Sequence, residues 1–286
     1  MKRKNVHLAG IDTAPAAAKP GTVYLVGAGP GSPDLLTVRA HRLLTNAKVV
    51  AHDELVAPEI LALAPARAEL FSVGRRAASS IPEKAKSCSV QNARIHPAVI
   101  SRALAGHDVV RLKGGDPYVF GRGGEEAEAL EEAGIPFVVV PGISAALGAA
   151  ASLRVPLTYR SESTSVTFAT AHAATEDGDR EIFSAIPASG TVVFYMGLAR
   201  LEATLGAVIA SGRAAETPAM VISHATLPTE RFVAGTLSTL ASLVRAANLP
   251  APALLLIGEA IAHRSTTLSP SVDALVEDPQ GRPRCG

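Results

Sequence analysis

The sequence predicts an α/β fold made of two domains. After Pro20 the apolar residues alternate between short runs rich in β-branched residues and longer runs with helical spacing, a pattern typical of βαβ units and a largely parallel sheet. The chain has 286 residues, about twice the roughly 150 residues of one domain, and two such series of elements meet near Pro141. Since 48% of the residues are apolar and 19% are charged, a chain that is disordered throughout is excluded.

The N-terminal domain is predicted over residues 20–141. Its first strand, Val23–Val26, leads into a glycine-rich turn, after which Ser32 is expected to cap a helix with Pro33 at its first position. Apolar residues at helical spacing continue that helix to Ala47. The other predicted elements are Val49–Ala51, Leu70–Val73, Pro97–Leu104, Val109–Leu112, Glu125–Ala133 and Phe137–Val140.

The C-terminal domain is predicted over residues 142–264. Its expected elements are Ser144–Ser152, Val166–Thr170, Val192–Tyr195, Leu198–Ala210, Ala219–Ser223, Arg231–Ala234, Leu237–Ala246 and Leu254–Ile257. Residues 1–19 lack the apolar run of a secretory signal and are predicted to form a disordered arm. The aperiodic residues 77–94 are predicted to form a surface loop, and residues 265–286 a flexible tail.

Charge and composition exclude several classes of partner. The net charge of +1 offers no general attraction to nucleic acid or to an anionic membrane, and aromatic residues, at 4%, provide few platforms for base stacking. The cysteines, Cys88 and Cys285, and the scattered histidines suggest neither a disulfide framework nor a metal site. We therefore expect a cytoplasmic protein without a metal, a membrane span or a nucleic-acid partner.

The first glycine cluster resembles a dinucleotide-binding turn, because it follows a strand and Asp53 lies near the end of the next one. That fingerprint requires Gly-x-Gly-x-x-Gly. Here Gly31 comes one position early, and Pro30 has no N–H to donate to a pyrophosphate. A dinucleotide site is therefore disfavoured.

The second glycine cluster is more specific. Residues 111–126 read RLKGGDPYVFGRGGEE and follow a predicted strand, at the edge of an α/β sheet where ligands bind and where glycines let the backbone approach them. A glycine-rich turn leading into a helix would account for Glu125 and Glu126, because carboxylates favour helix N-termini. It would leave Asp116 and Arg122 unexplained.

Five segments together resemble the uroporphyrinogen-III C-methyltransferases, within the tetrapyrrole methylase superfamily. They are VYLVGAGPGSPDLLT at 23–37, the run at 111–126, VPGISAA at 140–146, PLTYR at 156–160 and FYMG at 194–197. The resemblance spans about residues 20–262. It implies two α/β domains with a ligand cleft between them, a homodimer, and S-adenosylmethionine as methyl donor. The implied reaction adds methyl groups at C2 and C7 of uroporphyrinogen III, giving precorrin-2 for sirohaem or cobalamin biosynthesis.

The resemblance also assigns roles to residues. Asp53 matches the family's proposed proton acceptor, Arg75 stands where the family places a proton-donating lysine, and Arg122, Glu125 and Arg160 match residues assigned to the tetrapyrrole. The matching cofactor positions are Pro30, Gly114, Gly115, Asp116, Val119, Ser144, Ala145, Met196 and Ala225.

These residue types suit the implied chemistry. A carboxylate such as Asp53 can accept the proton lost from a methylated ring, and guanidinium groups such as Arg122 and Arg160 bind the eight carboxylates of uroporphyrinogen. Other interpretations stay open from the residues alone: Asp53 as a surface aspartate or helix cap, Met196 as a core residue, and the arginines as solvated side chains.

Arg75 is the clearest departure from the family pattern. An arginine keeps its proton across the working pH range and does not donate it near neutral pH, so an electrostatic role is expected for it. In addition, residues 77–94 are longer than the usual connection, and His52 replaces a tyrosine before Asp53. Two rival functions remain: a later precorrin methylase acting on another ring carbon, and a nucleotide-binding regulatory module without chemistry.

Overall fold

The computed structural model describes residues 19–73, 94–171 and 185–266. The chain divides into two compact units: the N-terminal unit contains the described residues up to Gly29 together with Pro33–Gly142, and the C-terminal unit contains Pro30–Ser32 and the residues from Ile143 onward. Several predicted features lie outside the described residues. They are Arg75, nearly all of the surface loop at 77–94, nearly all of the arm at 1–19, and the tail from residue 267 onward.

The N-terminal unit is built on a parallel five-stranded sheet with the order β3-β2-β4-β1-β5. The strands are β1 Val23–Gly27, β2 Val49–His52, β3 Glu69–Ser72, β4 Val109–Lys113 and β5 Phe137–Val140. The predicted α/β class is confirmed. The apolar residues of β1 and β4 are buried, as expected for central strands of a parallel sheet covered on both faces.

The helices of this unit are α1 Val38–Thr45, α2 Pro58–Leu61, α3 Pro97–Leu104 and α4 Gly123–Glu132. The predicted start of the first helix at Ser32 is wrong. Residues 33–35 form a 3-10 turn, and Thr37 caps α1 because its hydroxyl accepts the N–H of Ala40 at 3.1 Å. The short α2 was not predicted from the sequence, whereas α3 has the predicted bounds.

The C-terminal unit has a mixed five-stranded sheet with the order β6-β7-β10-β8-β9. Its strands are β6 Val166–Thr170, β7 Thr191–Tyr195, β8 Pro218–Ser223, β9 Arg231–Thr236 and β10 Ala253–Ile257. Among the described strands of this unit, only β6 and β7 pair in parallel, so the predicted largely parallel sheet is wrong here. Residues 224–230 are too few for a crossover, which needs about a dozen, so β8 and β9 pair antiparallel.

The helices of the C-terminal unit are α5 Ala145–Ser152, α6 Leu201–Ala210 and α7 Leu240–Ala247. A 3-10 turn at Leu198–Arg200 precedes α6, and α7 starts three residues later than predicted and ends at Asn248 in the left-handed conformation. A further 3-10 turn, Glu259–His263, follows β10. No helix among the described ranges is long and apolar enough to span a membrane.

Candidate functional site

In the N-terminal unit, predicted site residues and the glycine-rich turns beside them follow the carboxyl ends of four neighbouring strands. Asp53 follows β2, Gly114 follows β4, Ala28 follows β1 and Pro141 follows β5. These strands are adjacent in the order β2-β4-β1-β5, so their C-terminal loops lie along one edge of the sheet. This is the edge at which ligands bind in open α/β sheets.

Three of these loops approach each other so closely that only glycine fits. A Cβ added to Gly142 would lie 2.2 Å from the carbonyl oxygen of Gly115 and 2.8 Å from the Cα of Gly27. Gly115, at φ +67°, exchanges two backbone hydrogen bonds with Gly29, of 2.8 and 3.1 Å. The glycines thus bring backbone groups of three strand ends together.

Asp116 connects two of the loops through its side chain. One carboxylate oxygen accepts the N–H of Tyr118 at 2.8 Å, and the other accepts the N–H of Gly142 at 3.0 Å. Val119 lies in the same turn, its N–H donating to the carbonyl oxygen of Asp116 at 3.3 Å. The GGDP segment is therefore braced against the turn that follows β5.

Arg122 begins α4 in a strained conformation. Its φ of +57° lies in the left-handed region, which is costly for a residue with a Cβ, and its Nε lies 3.3 Å from Glu125 Oε1. Both side chains are exposed. The structure therefore brings together two residues that the resemblance assigns to the tetrapyrrole, and leaves their outer faces open to solvent.

Asp53 belongs to a cluster of four charged side chains, of which the other three are buried. Arg111 and Lys113 alternate on β4, so both side chains lie on one face of the sheet and meet Glu126 of α4. Arg111 donates to Asp53 Oδ1 at 2.5 Å and to Glu126 Oε1 at 2.8 Å, and Lys113 Nζ lies 3.1 Å from Glu126 Oε2. Asp53 Oδ2 lies 4.0 Å from Lys113 Nζ.

The burial of this charge quartet is uneven. The side chains of Arg111, Lys113 and Glu126 are 5%, 2% and 7% exposed, whereas that of Asp53 is 29% exposed. Burial by itself would lower the pKa of Arg111, but the charges of Glu126 and Asp53 outweigh it and raise that pKa. Burial, together with the Arg111 charge, lowers the pKa of Lys113. Asp53 is thus the one member of the quartet within easy reach of a ligand.

Sequence reasoning missed the role of Arg111, Lys113 and Glu126. A usable signal was present, because two cations alternate on a strand whose other residues are apolar, and such a buried strand rarely carries charge without a partner. The identity of the partners depended on the strand order, which brings β2 next to β4.

In the C-terminal unit, Ser144 and Ala145 begin α5 beside Tyr195. The Ser144 hydroxyl lies 2.5 Å from the Tyr195 hydroxyl, which also accepts the N–H of Ala146 at 3.2 Å. Pro30 packs against the same helix, because a Cβ on Gly148 would lie 2.6 Å from its ring. Four predicted cofactor positions of this unit therefore lie at α5 or beside a residue that contacts it. Ser144 and Ala145 begin the helix, Pro30 packs against it, and Met196 follows Tyr195.

Met196 is 55% exposed, so the alternative that it is a core residue is wrong. It has a φ of +58°, and the residues on both sides of Ala225, His224 and Thr226, have φ values of +51° and +66°. The Thr226 N–H donates to Glu230, and its hydroxyl accepts the N–H of Ser32. Backbone strain of this kind concentrates at functional sites, so it supports a ligand role for this region.

Arg160 lies in a tight turn formed by residues 159–163 and is exposed. The structure places it on the C-terminal unit, whereas Arg122 and Glu125 belong to the N-terminal unit. Among residues 19–73, 94–171 and 185–266, no group of three or more histidine, cysteine, aspartate or glutamate side chains is arranged to hold a metal ion.

The sequence model of the tetrapyrrole (corrin/porphyrin) methylases matches residues 22–241. The chain belongs to this family. It is 47% identical over 245 residues to a siroheme synthase of Pseudomonas fluorescens strain Pf0-1, covering 85% of this chain and 51% of that protein. A siroheme synthase of Pseudomonas aeruginosa strain UCBPP-PA14 is also 47% identical, over 247 residues. The chain thus spans about half the length of the curated relatives it matches.

Solved structures of tetrapyrrole methyltransferases resemble this chain. The native uroporphyrin-III C-methyltransferase of Thermus thermophilus has a TM-score of 0.69 and 38% identity, covering 85% of this chain and 99% of that one. A structure of the Thermus thermophilus enzyme complexed with S-adenosylhomocysteine has a TM-score of 0.65 and 37% identity. A cobalt precorrin-4 methyltransferase has a TM-score of 0.72 but 26% identity, covering 84% of this chain and 95% of that one.

Proposed function

We propose that this methylase transfers methyl groups from S-adenosylmethionine to C2 and C7 of uroporphyrinogen III, giving precorrin-2 for sirohaem or cobalamin biosynthesis. The observation that carries the proposal is the half-buried Asp53, held by Arg111 at the edge of the sheet that bears the glycine loops. The match to the Thermus thermophilus uroporphyrin-III C-methyltransferase covers almost all of that enzyme, and this likeness supports uroporphyrinogen III as the substrate.

The residues present fit S-adenosylmethionine. Close contacts among Gly27, Gly115 and Gly142 leave backbone groups rather than side chains at the strand ends, as a cofactor held by the main chain requires. We propose that Gly114, Gly115, Asp116 and Val119 of the N-terminal unit hold the cofactor. The residues proposed for the same role in the C-terminal unit are Pro30, Ser144, Ala145, Met196 and Ala225.

When bound, S-adenosylmethionine supplies an electrophilic methyl group on a sulfonium sulfur. Asp53 then serves as the base that accepts the proton lost from the methylated ring. Its Oδ1 is occupied by Arg111, so Oδ2 is the oxygen proposed to take the proton. Holding this carboxylate in one orientation contributes to catalysis, because a base acts only within hydrogen-bond reach of the proton it removes.

Substrate recognition is assigned to Arg122, Glu125 and Arg160. Guanidinium groups bind carboxylates through two parallel hydrogen bonds, in a bidentate geometry, and they keep their positive charge at all working pH values. Arg75 is proposed to contribute only its positive charge. We further propose that the enzyme acts in the cytoplasm as a homodimer without a metal ion.

A later precorrin methylase is the second candidate, favoured by the likeness to the cobalt precorrin-4 methyltransferase. Its lower identity, 26% against 38%, ranks it behind the first candidate. Anaerobic incubation with uroporphyrinogen III and S-adenosylmethionine, followed by mass spectrometry, tests the choice. Two added methyl groups support the proposal, whereas methylation of an already methylated precorrin alone supports the rival.

Calorimetry is expected to detect S-adenosylmethionine binding and no binding of NAD, and the reverse result would contradict the proposal.

Arg122→Ala and Arg160→Ala are each expected to lower kcat/KM for uroporphyrinogen III by about tenfold to several hundredfold. Each substitution removes a charge-assisted pair with a substrate carboxylate, which is worth about 1.5–3 kcal/mol. Cofactor affinity, measured by calorimetry, should stay nearly unchanged, because neither arginine is assigned to the cofactor.

Two exposed arginines provide matched controls for these variants. Arg94 is paired with Glu128 and Glu132 of α4, and Arg245 of α7 is paired with Glu202. Arg94→Ala and Arg245→Ala should leave kcat/KM within about twofold, since exposed pairs contribute little to stability. A loss of cofactor affinity in Arg122→Ala or Arg160→Ala as large as the loss of turnover would contradict the assignment of that arginine.

A further inference from the structure

The turn at residues 159–163 is anchored to the C-terminal sheet at its base. Tyr159 and Ser163 exchange two backbone hydrogen bonds, each of 2.8 Å. Ser163 is buried, and its hydroxyl lies 2.8 Å from the hydroxyl of Thr191, the first residue of β7. The backbone that carries Arg160 therefore has a defined position.

His263 contacts the side chains on both sides of Arg160 in this turn. Its ring stacks on Tyr159, with centroids 3.6 Å apart and an angle of 4° between the planes. Its Nε2 lies 2.8 Å from Glu162 Oε2. Because a carboxylate only accepts hydrogen bonds, Nε2 carries the proton and donates it. The histidine thus holds Tyr159 and Glu162 at once.

The consequence for Arg160 is electrostatic. Arg160 has no hydrogen bond or ion pair with any residue in the described part of the chain, although Glu162 lies two positions away in the same turn. A released Glu162 could pair with the Arg160 guanidinium and would repel a polycarboxylate ligand. In the observed arrangement, the carboxylate of Glu162 is bound to His263 instead.

We propose that His263 is a positioning residue that keeps Glu162 away from Arg160, so that Arg160 stays available for a carboxylate of the substrate. The inference rests on the proposed function, because it takes the ligand of Arg160 to be a polycarboxylate tetrapyrrole. His263 lies beyond residues 22–241, the part of the chain that the family model matches.

His263→Ala is expected to raise the KM for uroporphyrinogen III by about fivefold, with little change in kcat or in cofactor affinity, since an exposed pair is worth up to about 1 kcal/mol. His263→Phe keeps an aromatic ring against Tyr159 but loses the hydrogen bond, and should behave in the same way. The double variant His263→Ala/Glu162→Gln should return KM to within about twofold of the parent value, because the competing carboxylate is gone. The increase in KM should also shrink at high salt.

The double variant separates this role from a merely structural one. If His263 only supported the turn, removing the charge of Glu162 would not restore KM, and that result would overturn the proposal, as would an unchanged KM in His263→Ala. Arg264→Ala is the matched control: its guanidinium lies 4.4 Å from the ring centre of Phe232 on β9, and KM should not change.

A substrate-independent measurement distinguishes failure of this inference from failure of the proposed function. In a nitrogen-15 NMR spectrum, the Arg160 Nε–H resonance should shift in His263→Ala as the guanidinium pairs with Glu162, and should return in the double variant. An unmoved resonance overturns the inference even if the enzyme methylates uroporphyrinogen III. Conversely, a parent enzyme that methylates only other tetrapyrroles contradicts the proposed function and leaves this resonance test intact.

Discussion

Glu126→Ala is expected to lower the free energy of unfolding by about 3–5 kcal/mol, the usual cost of removing one partner from a buried ion pair. Arg111 and Lys113 are almost fully buried and would lose their shared partner, so that both would depend on Asp53, which lies 2.5 Å from Arg111 and 4.0 Å from Lys113 Nζ. Urea denaturation monitored by circular dichroism measures the change from the shift of the transition midpoint.

Glu128→Ala is the control for this variant, because Glu128 lies on the same helix and is exposed, and its ion pair within the described ranges is with Arg94. It should cost less than about 1 kcal/mol. Equal effects of the two substitutions would contradict the view that the quartet is a tightly coupled buried cluster.

The triple replacement Arg111→Met/Lys113→Leu/Glu126→Leu should recover much of the lost stability, since apolar residues can replace a buried ionic cluster. It should still be a poor enzyme, because Asp53 would no longer be held in place.

Asp53→Asn is expected to lower kcat by about 10²–10⁴-fold while the protein stays folded and binds S-adenosylmethionine with nearly unchanged affinity. The amide keeps the size of the carboxylate but cannot accept a proton, and loss of a positioned base typically has this magnitude. Single-turnover methylation under anaerobic conditions, with calorimetry for the cofactor, measures the two quantities separately.

Asp108→Asn is a matched control, because Asp108 is an exposed aspartate of the same unit whose carboxylate accepts the N–H of Thr22 at 2.7 Å. Its kcat should stay within about twofold. If Asp53→Asn kept full turnover, Asp53 would be only a partner of Arg111, and another group would have to accept the proton.

Local patterns in the sequence determined most of the elements and the position of the glycine loops. Alternation of β-branched runs and helical spacing was enough for the five strands of the N-terminal unit, and the bounds of α3 followed from Pro97 at its start. The run at 111–126 pointed to a ligand site, because glycines and charges that occur together at the end of a buried strand are typical of such sites. The resemblance to the family motifs then identified the candidate catalytic and cofactor-binding residues.

Tertiary structure alone decided what those residues touch. Asp53 and Arg111 are 58 positions apart, and they meet because β2 and β4 are neighbours in the sheet. The mixed pairing of β8, β9 and β10 likewise depends on hydrogen bonds between distant strands, which no local period encodes. The exposure of Met196 and the contact of His263 with Glu162 also arise from packing of segments far apart in the chain. Sequence patterns report local preference and burial, whereas partners across a sheet are selected only when the whole chain folds.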